Sequence, residues 1–252
     1  MLKKRLIPVL LLQNCRMVKT IQFDKIRDVG NPVTAAKIYD AQIADELVFL
    51  DINATVEGKE AVKEIINRVT EECFMPFAVG GGVKTLKDIQ ELLRIGADKV
   101  IINSAAVEDP DFIKKAAEKF GSANIVVSID YKINNNGEKE VFIHRGGKPT
   151  GLDPVKWAKK VELFGAGEII LTSIDREGTM TGYDLNTLKE VTKAVNIPVI
   201  ANGGVGTLIH LKEGLTTGNA SGVAAASIFH FTDQSPIKAR QFLANEGVNI
   251  KF

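Results

Sequence analysis

The segment Val79–Val83, which reads VGGGV, recurs 122 positions later as Ala201–Val205, which reads ANGGV. A second pair, Asp45–Leu50 (DELVFL) and Gly167–Thr172 (GEIILT), is separated by the same 122 positions. Self-similarity at a fixed offset is the signature of an internal repeat. Because this offset is close to half of the 252 residues, it suits a duplicated half-barrel better than a solenoid. We therefore expect one domain over residues 1–252, with half-barrels at roughly 1–122 and 123–252.

Short apolar runs alternate with longer amphipathic segments along the chain. The predicted strands are Leu6–Leu11, Leu47–Asp51, Phe77–Val79, Lys99–Ile102, Ile125–Ile129, Ile169–Thr172, Val199–Ala201 and Gly222–Ala225. The predicted helices include Glu60–Cys73, Leu86–Ile95, Pro110–Phe120, Pro154–Phe164 and Leu185–Ala194. Strands that alternate with helices form parallel sheets, and eight such units fill the ~250 residues of a closed barrel. The predicted fold class is α/β, a (β/α)8 TIM barrel with a two-fold half-barrel repeat, and a doubly wound open sheet is the alternative.

Composition excludes several classes of protein. The chain has 32 Lys and Arg against 31 Asp and Glu, and this balance argues against a nucleic-acid-binding surface, which requires a basic excess. No apolar run approaches the ~20 residues of a membrane span. The basic N-terminus leads into a short apolar run that contains Pro8, which favours a buried strand over a signal peptide. Cys15, Cys73 and three scattered histidines show no disulfide or metal pattern, so we expect a cytoplasmic protein without metal or cofactor.

Two polar connections are longer than the rest. Residues 13–33 follow the first predicted strand, and residues 132–152 follow the fifth and contain Val141–Ile143 as a predicted hairpin strand. Connections of this length are usually functional or disordered. In barrel enzymes, the loops that follow strands build the active site. We therefore expect both segments to lie at the functional end of the barrel.

Two glycine-rich turns are candidates for phosphate binding. The turns at 80–82 and 203–204 each follow a strand and open a helix, where free backbone N–H groups and the helix dipole favour an anion. Each has a companion at the end of the next strand. The predicted phosphate-binding residues are Gly81, Gly82, Asn103, Ser104, Gly203, Gly204, Ala226 and Ser227. A tight turn without a ligand is the alternative, and it is less favoured because the turn occurs twice.

Two phosphate sites across one barrel mouth indicate a long ligand with a phosphate at each end. The chemistry would then lie midway, near the ends of the first and fifth strands. Asp130 ends the fifth strand, whereas the first strand offers Leu11. A pair of acids on opposite sides of the barrel would suit proton transfer, and this chain has only one of them.

Motifs over essentially the whole chain resemble the cyclase subunit of imidazole glycerol phosphate synthase. They include Arg5–Pro8, Arg16–Lys19, Phe23, Arg27–Val33, Asp45–Ile52, Val79–Gly82, Gly96–Val100, Gly165–Glu168 and Leu171–Thr179. The resemblance implies a duplicated half-barrel that binds a bis-phosphorylated ribonucleotide. It also implies a heterodimer with a glutaminase, which docks at the opposite end of the barrel and supplies ammonia. Gly178, within the last motif, is expected to contribute to phosphate binding.

The chain departs from this family near its chemistry. The family has an aspartate where this chain has Leu11, while the other acid, Asp130, and the lysine of the mobile first loop, Lys19, are present. The remaining departures are Asn14, Cys15, Thr20, Glu177 and Asn202. Leucine cannot exchange a proton, and a positioned acid or base contributes about 10²–10⁴-fold in rate. Efficient cyclisation is therefore not expected, unless an acid such as Asp51, Asp175 or Glu177 substitutes.

Four charged residues stand at the starts of apolar strands, where they point toward the bottom of the barrel. They are Arg5, Glu46, Lys99 and Glu168. The resemblance implies that they gate an ammonia channel through the barrel, and that Asp98 contacts the glutaminase. Two surface ion pairs are the alternative interpretation.

Leu11 beside a complete set of gate residues leads to a hypothesis of function. The chain is expected to be a paralogue that keeps glutaminase binding and ammonia channelling. The resemblance implies a branch associated with surface polysaccharides, in which ammonia passes to a separate sugar amidotransferase. An authentic cyclase of histidine biosynthesis is the alternative, and a scaffold that only activates a glutaminase is the non-enzymatic one. The related isomerase of the same pathway also expects an acid in place of Leu11.

Overall fold

Eight parallel strands close into a barrel in the computed structural model, which describes residues 3–53 and 56–250, with the backbone alone for 56–61. In chain order the strands are β1 (Arg5–Gln13), β2 (Arg16–Ile21), β3 (Asp24–Gly30), β4 (Leu47–Asp51), β5 (Phe77–Gly80), β6 (Lys99–Ile102), β7 (Ile125–Ile133), β8 (Lys139–Ile143), β9 (Lys148–Pro149), β10 (Glu168–Ser173), β11 (Val199–Asn202) and β12 (Gly222–Ala225). The barrel runs β1-β4-β5-β6-β7-β10-β11-β12, and the parallel pairing of β12 with β1 closes it. The predicted closed barrel is confirmed, and this closure rules out the open sheet.

Helices follow the barrel strands and cover the outside of the barrel. They are α1 (Pro32–Ala41), α2 (Val56–Glu72), α3 (Leu86–Arg94), α4 (Ser104–Glu108), α5 (Asp111–Phe120), α6 (Pro154–Leu163), α7 (Leu185–Ala194), α8 (Leu208–Leu215), α9 (Ser227–Phe231) and α10 (Pro236–Asn245). Local sequence explains where they begin. Asn31 accepts hydrogen bonds from the N–H groups of Val33 and Thr34, and Thr85 with Asp88 forms a capping box at α3. A search of the described part of the chain finds no helix with the length and hydropathy of a membrane span.

Both long connections fold into hairpins at the C-terminal end of the barrel. The connection over 13–33 is built of strands, because β1 continues to Gln13 and pairs antiparallel with β2, which pairs with β3. Asn14 and Cys15 make this possible, since both adopt positive φ angles, 49° and 61°, as a type I′ hairpin turn requires. The predicted strand Val141–Ile143 is confirmed within β8, which pairs with β7.

Strand alternation divides the apolar residues into two layers. One set faces the helices, and the other fills the inside of the barrel. The inner cluster consists of Ile7, Val9, Val48, Ala78, Ile101, Val126, Ile170, Ile200 and Ala224, with Leu11, Leu50 and Ala226 packed against its upper end. The barrel interior is therefore apolar along most of its length, with polar residues confined to its two ends.

The last helix is tied to the bottom of the barrel by a buried ion pair. Arg240 is 2 % exposed and lies 2.8 Å from a carboxylate oxygen of Asp45. The other oxygen of Asp45 accepts a hydrogen bond from the N–H of Leu6 at 2.8 Å. This contact fixes the starts of β1 and β4 together, at the end of the barrel where Glu46 lies.

Candidate functional site

One side of the barrel mouth is polar. Asn103 Nδ2 and Ser128 Oγ donate hydrogen bonds to the two carboxylate oxygens of Asp130, at 3.1 and 3.0 Å. Next to them, Asn202 Nδ2 donates to Thr172 Oγ1 at 3.1 Å. These five side chains come from the upper parts of β7, β10 and β11 and from the residue that follows β6. Their joint position gives the mouth one wall of hydrogen-bonding groups around a single carboxylate.

The opposite side of the mouth is apolar. Leu11 on β1 is paired in register with Leu50 on β4, and both pack on the inner cluster together with Ala226. Leu11 therefore occupies the place where the resemblance expects the second acid, and its nearest strand neighbour adds a second isobutyl group. No carboxylate among Asp51, Asp175 and Glu177 replaces it: Asp51 is buried on the β4 face that alternates with Leu50, and the other two bind the first hairpin or β7.

The surroundings of Asp130 favour its protonated form. Burial raises the pKa of this carboxyl to about 6, against hydrogen bonds from Ser128, Thr172 and Asn103, which lower it, while the charge of Glu177 raises it further. An acid with a pKa near neutrality can both accept and donate a proton under physiological conditions. Asp130 is thus the one group on the polar wall suited to proton transfer.

Asp130→Asn is expected to stabilise the protein by about 1–2 kcal/mol at pH 7 and to flatten its pH dependence between about pH 4 and pH 6. Because the pKa of Asp130 is higher in the folded protein, the folded state binds more protons, and stability falls as the pH rises through this interval. Asparagine keeps one oxygen to accept from Asn103, and its NH2 group can donate to the hydroxyl oxygen of Ser128, so both contacts persist without the charge. Urea unfolding from pH 4 to pH 8 measures this. An unchanged slope in the variant would show that Asp130 titrates normally.

Lys19, which the resemblance assigns to the mobile first loop, lies on β2 of the first hairpin and is 4 % exposed. Its Nζ forms an ion pair with Glu177, in the loop between β10 and α7. The same carboxylate accepts hydrogen bonds from Thr20 Oγ1 at 3.1 Å and from the N–H of Phe23 at 3.3 Å. Thr20 and Glu177 are two of the departures from the family, and they contact one another. Together these contacts hold the first hairpin down and take up the charge of Lys19.

The two glycine turns have the backbone that their sequence predicts. Gly82 and Gly204 have φ angles of 65° and 106°, which other residues rarely adopt. At Gly81, a Cβ atom would lie 2.2 Å from the carbonyl oxygen of Asp51, so a side chain does not fit there. Gly178 has a different environment, because a Cβ at this position would lie 2.4 Å from the carbonyl oxygen of Thr20. Gly178 therefore supports the first hairpin directly.

The four charged residues at the bottom of the barrel form one connected network. Arg5 Nη1 lies 2.7 Å from Glu46 Oε2, and Lys99 Nζ lies 2.9 Å from Glu46 and 2.8 Å from Glu168. Arg5 also forms an ion pair with Glu168, which closes the ring. Gly222, which pairs with Arg5 across β12 and β1, has no space for a side chain, since a Cβ there would lie 2.8 Å from Ile200 Cδ1. All four side chains meet directly below the inner apolar cluster.

Charge within this ring is strongly stabilised. Burial alone would raise the pKa of Glu168, but Arg5 and Lys99 outweigh it and hold the pKa below its ordinary value. Burial would likewise lower the pKa of Arg5, yet Glu168 and Glu46 raise it. The glutamates are also well enclosed, with side chains 5 % and 7 % exposed. The alternative interpretation, two surface ion pairs, therefore does not fit the glutamates, which are enclosed. Only Arg5 and Lys99 have side chains that reach solvent.

Sequence reasoning missed two features around this framework. Phe74, in the connection between α2 and β5, and Leu163, the last residue of α6, are 92 % and 83 % exposed. At the mouth, the N–H of His144 in the second hairpin donates to Ser104 Oγ at 3.1 Å, and His144 Nε2 lies 2.8 Å from Glu108. The sequence gives no signal for isolated apolar residues at helix ends, and the contacts of the hairpin form only when the barrel closes.

The predicted interface residue Asp98 is exposed at the bottom of the barrel, and its carboxylate accepts a hydrogen bond from the N–H of Phe77.

Among the described residues, no group of three or more side chains is arranged to hold a metal ion. The family model described as "Histidine biosynthesis protein" matches residues 5–235, nearly the whole barrel. Members of that family are barrel enzymes of histidine biosynthesis. Both the closed barrel and the matched length agree with this assignment, and the chain belongs to the histidine biosynthesis protein family.

Proposed function

We propose that this barrel is the synthase-type subunit of a glutamine amidotransferase complex. It receives ammonia from a glutaminase subunit at its N-terminal face, conducts it through its interior and releases it at the mouth. A sugar-amidating enzyme of surface-polysaccharide synthesis takes up the ammonia there. The observation that carries this proposal is the closed ring of Arg5, Glu46, Lys99 and Glu168 directly below an apolar interior.

The chemistry of the interior suits ammonia better than ammonium. Burying an unpaired cation in apolar surroundings is far more costly than burying a small neutral molecule. Above the ring, the inner cluster offers small side chains at Ala78 and Ala224, whereas most of its other members are branched. Opening requires only that one arm of the ring moves, and the two arms that reach solvent are Arg5 and Lys99, whose side chains are 25 % and 20 % exposed. The ring would then act as a gate that the partner opens on docking.

The bottom of the barrel also has the surface that a partner requires. Phe74 and Leu163 are large apolar side chains that are almost fully exposed, and exposed apolar groups around a functional opening favour a protein partner. Asp98 adds an exposed carboxylate beside the start of β6, the strand that carries Lys99. These residues lie at the same end of the barrel as the charged ring, so a glutaminase bound to them would lie over the ring.

The mouth supports delivery of ammonia more than cyclisation by the chain itself. Leu11 and Leu50 leave Asp130 without a facing acid or base, and a missing general acid or base costs about 10²–10⁴-fold in rate. Lys19 is held by Glu177 inside the first hairpin. Position 11 and Lys19, to which the resemblance assigns roles in the reaction, are therefore both unavailable for proton transfer or substrate binding.

A second candidate function is an authentic cyclase subunit of histidine biosynthesis. The pKa of Asp130, raised to about 6 chiefly by burial, favours this candidate because such an acid can work alone as a proton shuttle. Turnover of the bis-phosphorylated ribonucleotide with ammonium near 1 s⁻¹, the low end of ordinary enzyme rates, would support it. Turnover close to the uncatalysed rate would support the conduit.

Two variants separate conduction from docking in the complex with the cognate glutaminase and amidating enzyme. Lys99→Ala is expected to leave complex formation intact but to lower the product formed per glutamine hydrolysed, because ammonia escapes at the broken ring. Phe74→Glu is expected to weaken the complex by about 30-fold, the effect of losing one interface anchor. Ile26→Glu, at an exposed apolar residue of the first hairpin at the opposite end of the barrel, is the matched control and should leave the affinity for the glutaminase unchanged.

Calorimetry of the complex and parallel assays of glutamate and amidated product provide both measurements. If Lys99→Ala keeps product and glutamine consumption coupled and only weakens the complex, the barrel is a scaffold and the conduit is wrong. No weakening by Phe74→Glu would place the partner elsewhere, and equal weakening by Ile26→Glu would show that the effect is not specific to the bottom of the barrel.

A further inference from the structure

We propose that a groove on the outside of the barrel, between α1 and α9, binds an uncharged nucleoside. The groove encloses about 320 Å³, a volume within the usual range of small-molecule sites. Its described lining comes from α1, the first hairpin and the segment that runs from α9 to α10. The inference goes beyond the proposed function, because no step of ammonia transfer passes through this groove.

One face of α1 forms the long wall of the groove. Asn31, Thr34, Ile38 and Gln42 line it and are spaced by three or four residues, so they share one face of the helix. Asn31 is the N-cap of α1 and Gln42 is its C-cap. The wall therefore runs the whole helix, about 16 Å at the rise of an α-helix. Such an elongated shape suits two linked rings, as in a base joined to a ribose.

The groove offers no charge to a ligand. Among the described residues that line it, none is Asp, Glu, Lys or Arg. Burial lowers the pKa of His230 to about 4 and raises that of Tyr39 above its ordinary value, so both are neutral at pH 7. The Tyr39 hydroxyl lies 3.0 Å from His230 Nδ1, which occupies both groups. A charged ligand would lose hydration here without gaining a counter-ion, so the groove favours a neutral one.

The hydrogen-bonding groups that remain are amides. Gln42 and Gln234 line the groove, and their side chains make no hydrogen bond to any described residue. Asn31 Oδ1 accepts the N–H groups of Val33 and Thr34 at 2.9 and 3.1 Å, which leaves its NH2 group as a donor. A glutamine amide binds the edge of adenine with two parallel hydrogen bonds, one donated and one accepted. The groove thus has amides for both a base and the hydroxyls of a ribose.

Apolar and aromatic groups supply the surface for a flat ring. Tyr39 and Phe229 pack together with their ring centroids 6.1 Å apart, and both line the groove. Met17 lines it as well, and Ile38 is 49 % exposed at its edge. A planar heterocycle would bury apolar area against these side chains. This surface favours a nucleoside over a free sugar, which has no apolar face of comparable size.

The position of the groove couples it to the first hairpin. Met17 lies on β2 and Val29 on β3, and both line the groove opposite α1 and α9. A ligand that contacts the hairpin and the two helices at once binds better when the hairpin is closed. Binding should therefore slow hydrogen exchange in residues 16–30, since ligand and closed hairpin stabilise one another.

Titration calorimetry of the full chain with adenosine and inosine tests the inference. We expect adenosine to bind with a dissociation constant below about 1 mM. Inosine has two acceptors on the edge where adenosine has a donor and an acceptor, so it should bind at least about fivefold more weakly. Hydrogen exchange with and without adenosine measures the expected protection of the first hairpin.

Variants of the lining locate the site. The double variant Gln42→Met, Gln234→Met keeps the length of both side chains without their amides. It should weaken adenosine at least about tenfold and remove the preference over inosine. Thr34→Trp fills the groove from an exposed position and should abolish binding. Gln241→Met, on the exposed face of α10, is the matched control and should alter the affinity by less than about twofold.

Any of four outcomes would overturn the inference. They are no binding of adenosine at about 5 mM, equal affinity for adenosine and inosine, unchanged binding in Thr34→Trp, and equal weakening by Gln241→Met and by the double variant. Circular dichroism of each variant separates loss of binding from loss of fold. The assay uses neither a glutaminase nor glutamine, so a failed ammonia conduit and a failed nucleoside site are recorded by different experiments.

Discussion

Glu177→Ala is expected to lower the free energy of unfolding by about 3–5 kcal/mol, the cost of removing one partner from a buried ion pair. Glu177 is 7 % exposed and pairs with Lys19, which is 4 % exposed. Without the carboxylate, the ammonium stays buried next to the carbonyl oxygen of Thr20 alone. Urea unfolding measures the loss, and hydrogen exchange of residues 16–30 should quicken because the first hairpin loses its anchor.

Two controls identify the cause. The double variant Lys19→Met, Glu177→Leu removes both charges, and replacing a whole buried pair by apolar groups is often neutral, so most of the stability should return. Glu190→Ala removes an exposed partner of Lys139 and should cost at most about 1 kcal/mol. A loss below 1 kcal/mol in Glu177→Ala, or no recovery of stability in the double variant, would contradict the stabilising role of the buried Lys19–Glu177 ion pair.

Glu168→Ala is expected to cost about 3 kcal/mol and to open the charged ring at the bottom of the barrel. Arg5 and Lys99 would then share Glu46 alone, below an apolar interior that cannot solvate them. The estimate lies at the low end for buried pairs because the two cations are partly exposed. Thermal and urea unfolding at pH 7 measure it, and Glu168→Gln, which keeps the shape of the side chain, should cost less.

The pH dependence gives an independent check of this ring. Arg5 and Lys99 hold the pKa of Glu168 below its ordinary value in spite of burial. The stability that this contributes is therefore present above the ordinary glutamate pKa of about 4.3 and is lost as the pH falls through the lower folded value. Glu168→Gln should remove that part of the acid transition. An identical acid transition in wild type and variant would refute the pairing.

Short-range pattern was sufficient for much of this protein. The alternation of apolar runs and amphipathic helices predicted all eight barrel strands, because each strand or helix has its own pattern of apolar residues. The positive φ angles of the turns followed from their glycines. Charges at strand starts such as Arg5 and Glu168 could also be placed at one end of the barrel, since parallel strands begin on the same side. The half-barrel duplication, the single-domain extent and the roles of the site residues stay predictions.

The tertiary structure alone decided which side chains pair with one another at the mouth of the barrel. Lys19 and Glu177 stand 158 positions apart, and Ser104 and His144 stand 40 apart, so no local period connects them. Both pairs meet because closing the barrel brings the hairpins after β1 and β7 over one mouth. Sequence determined which groups each strand delivers to that mouth. Contacts between distant segments decide which of those groups remain free for a ligand. Such contacts exist only after the barrel has closed.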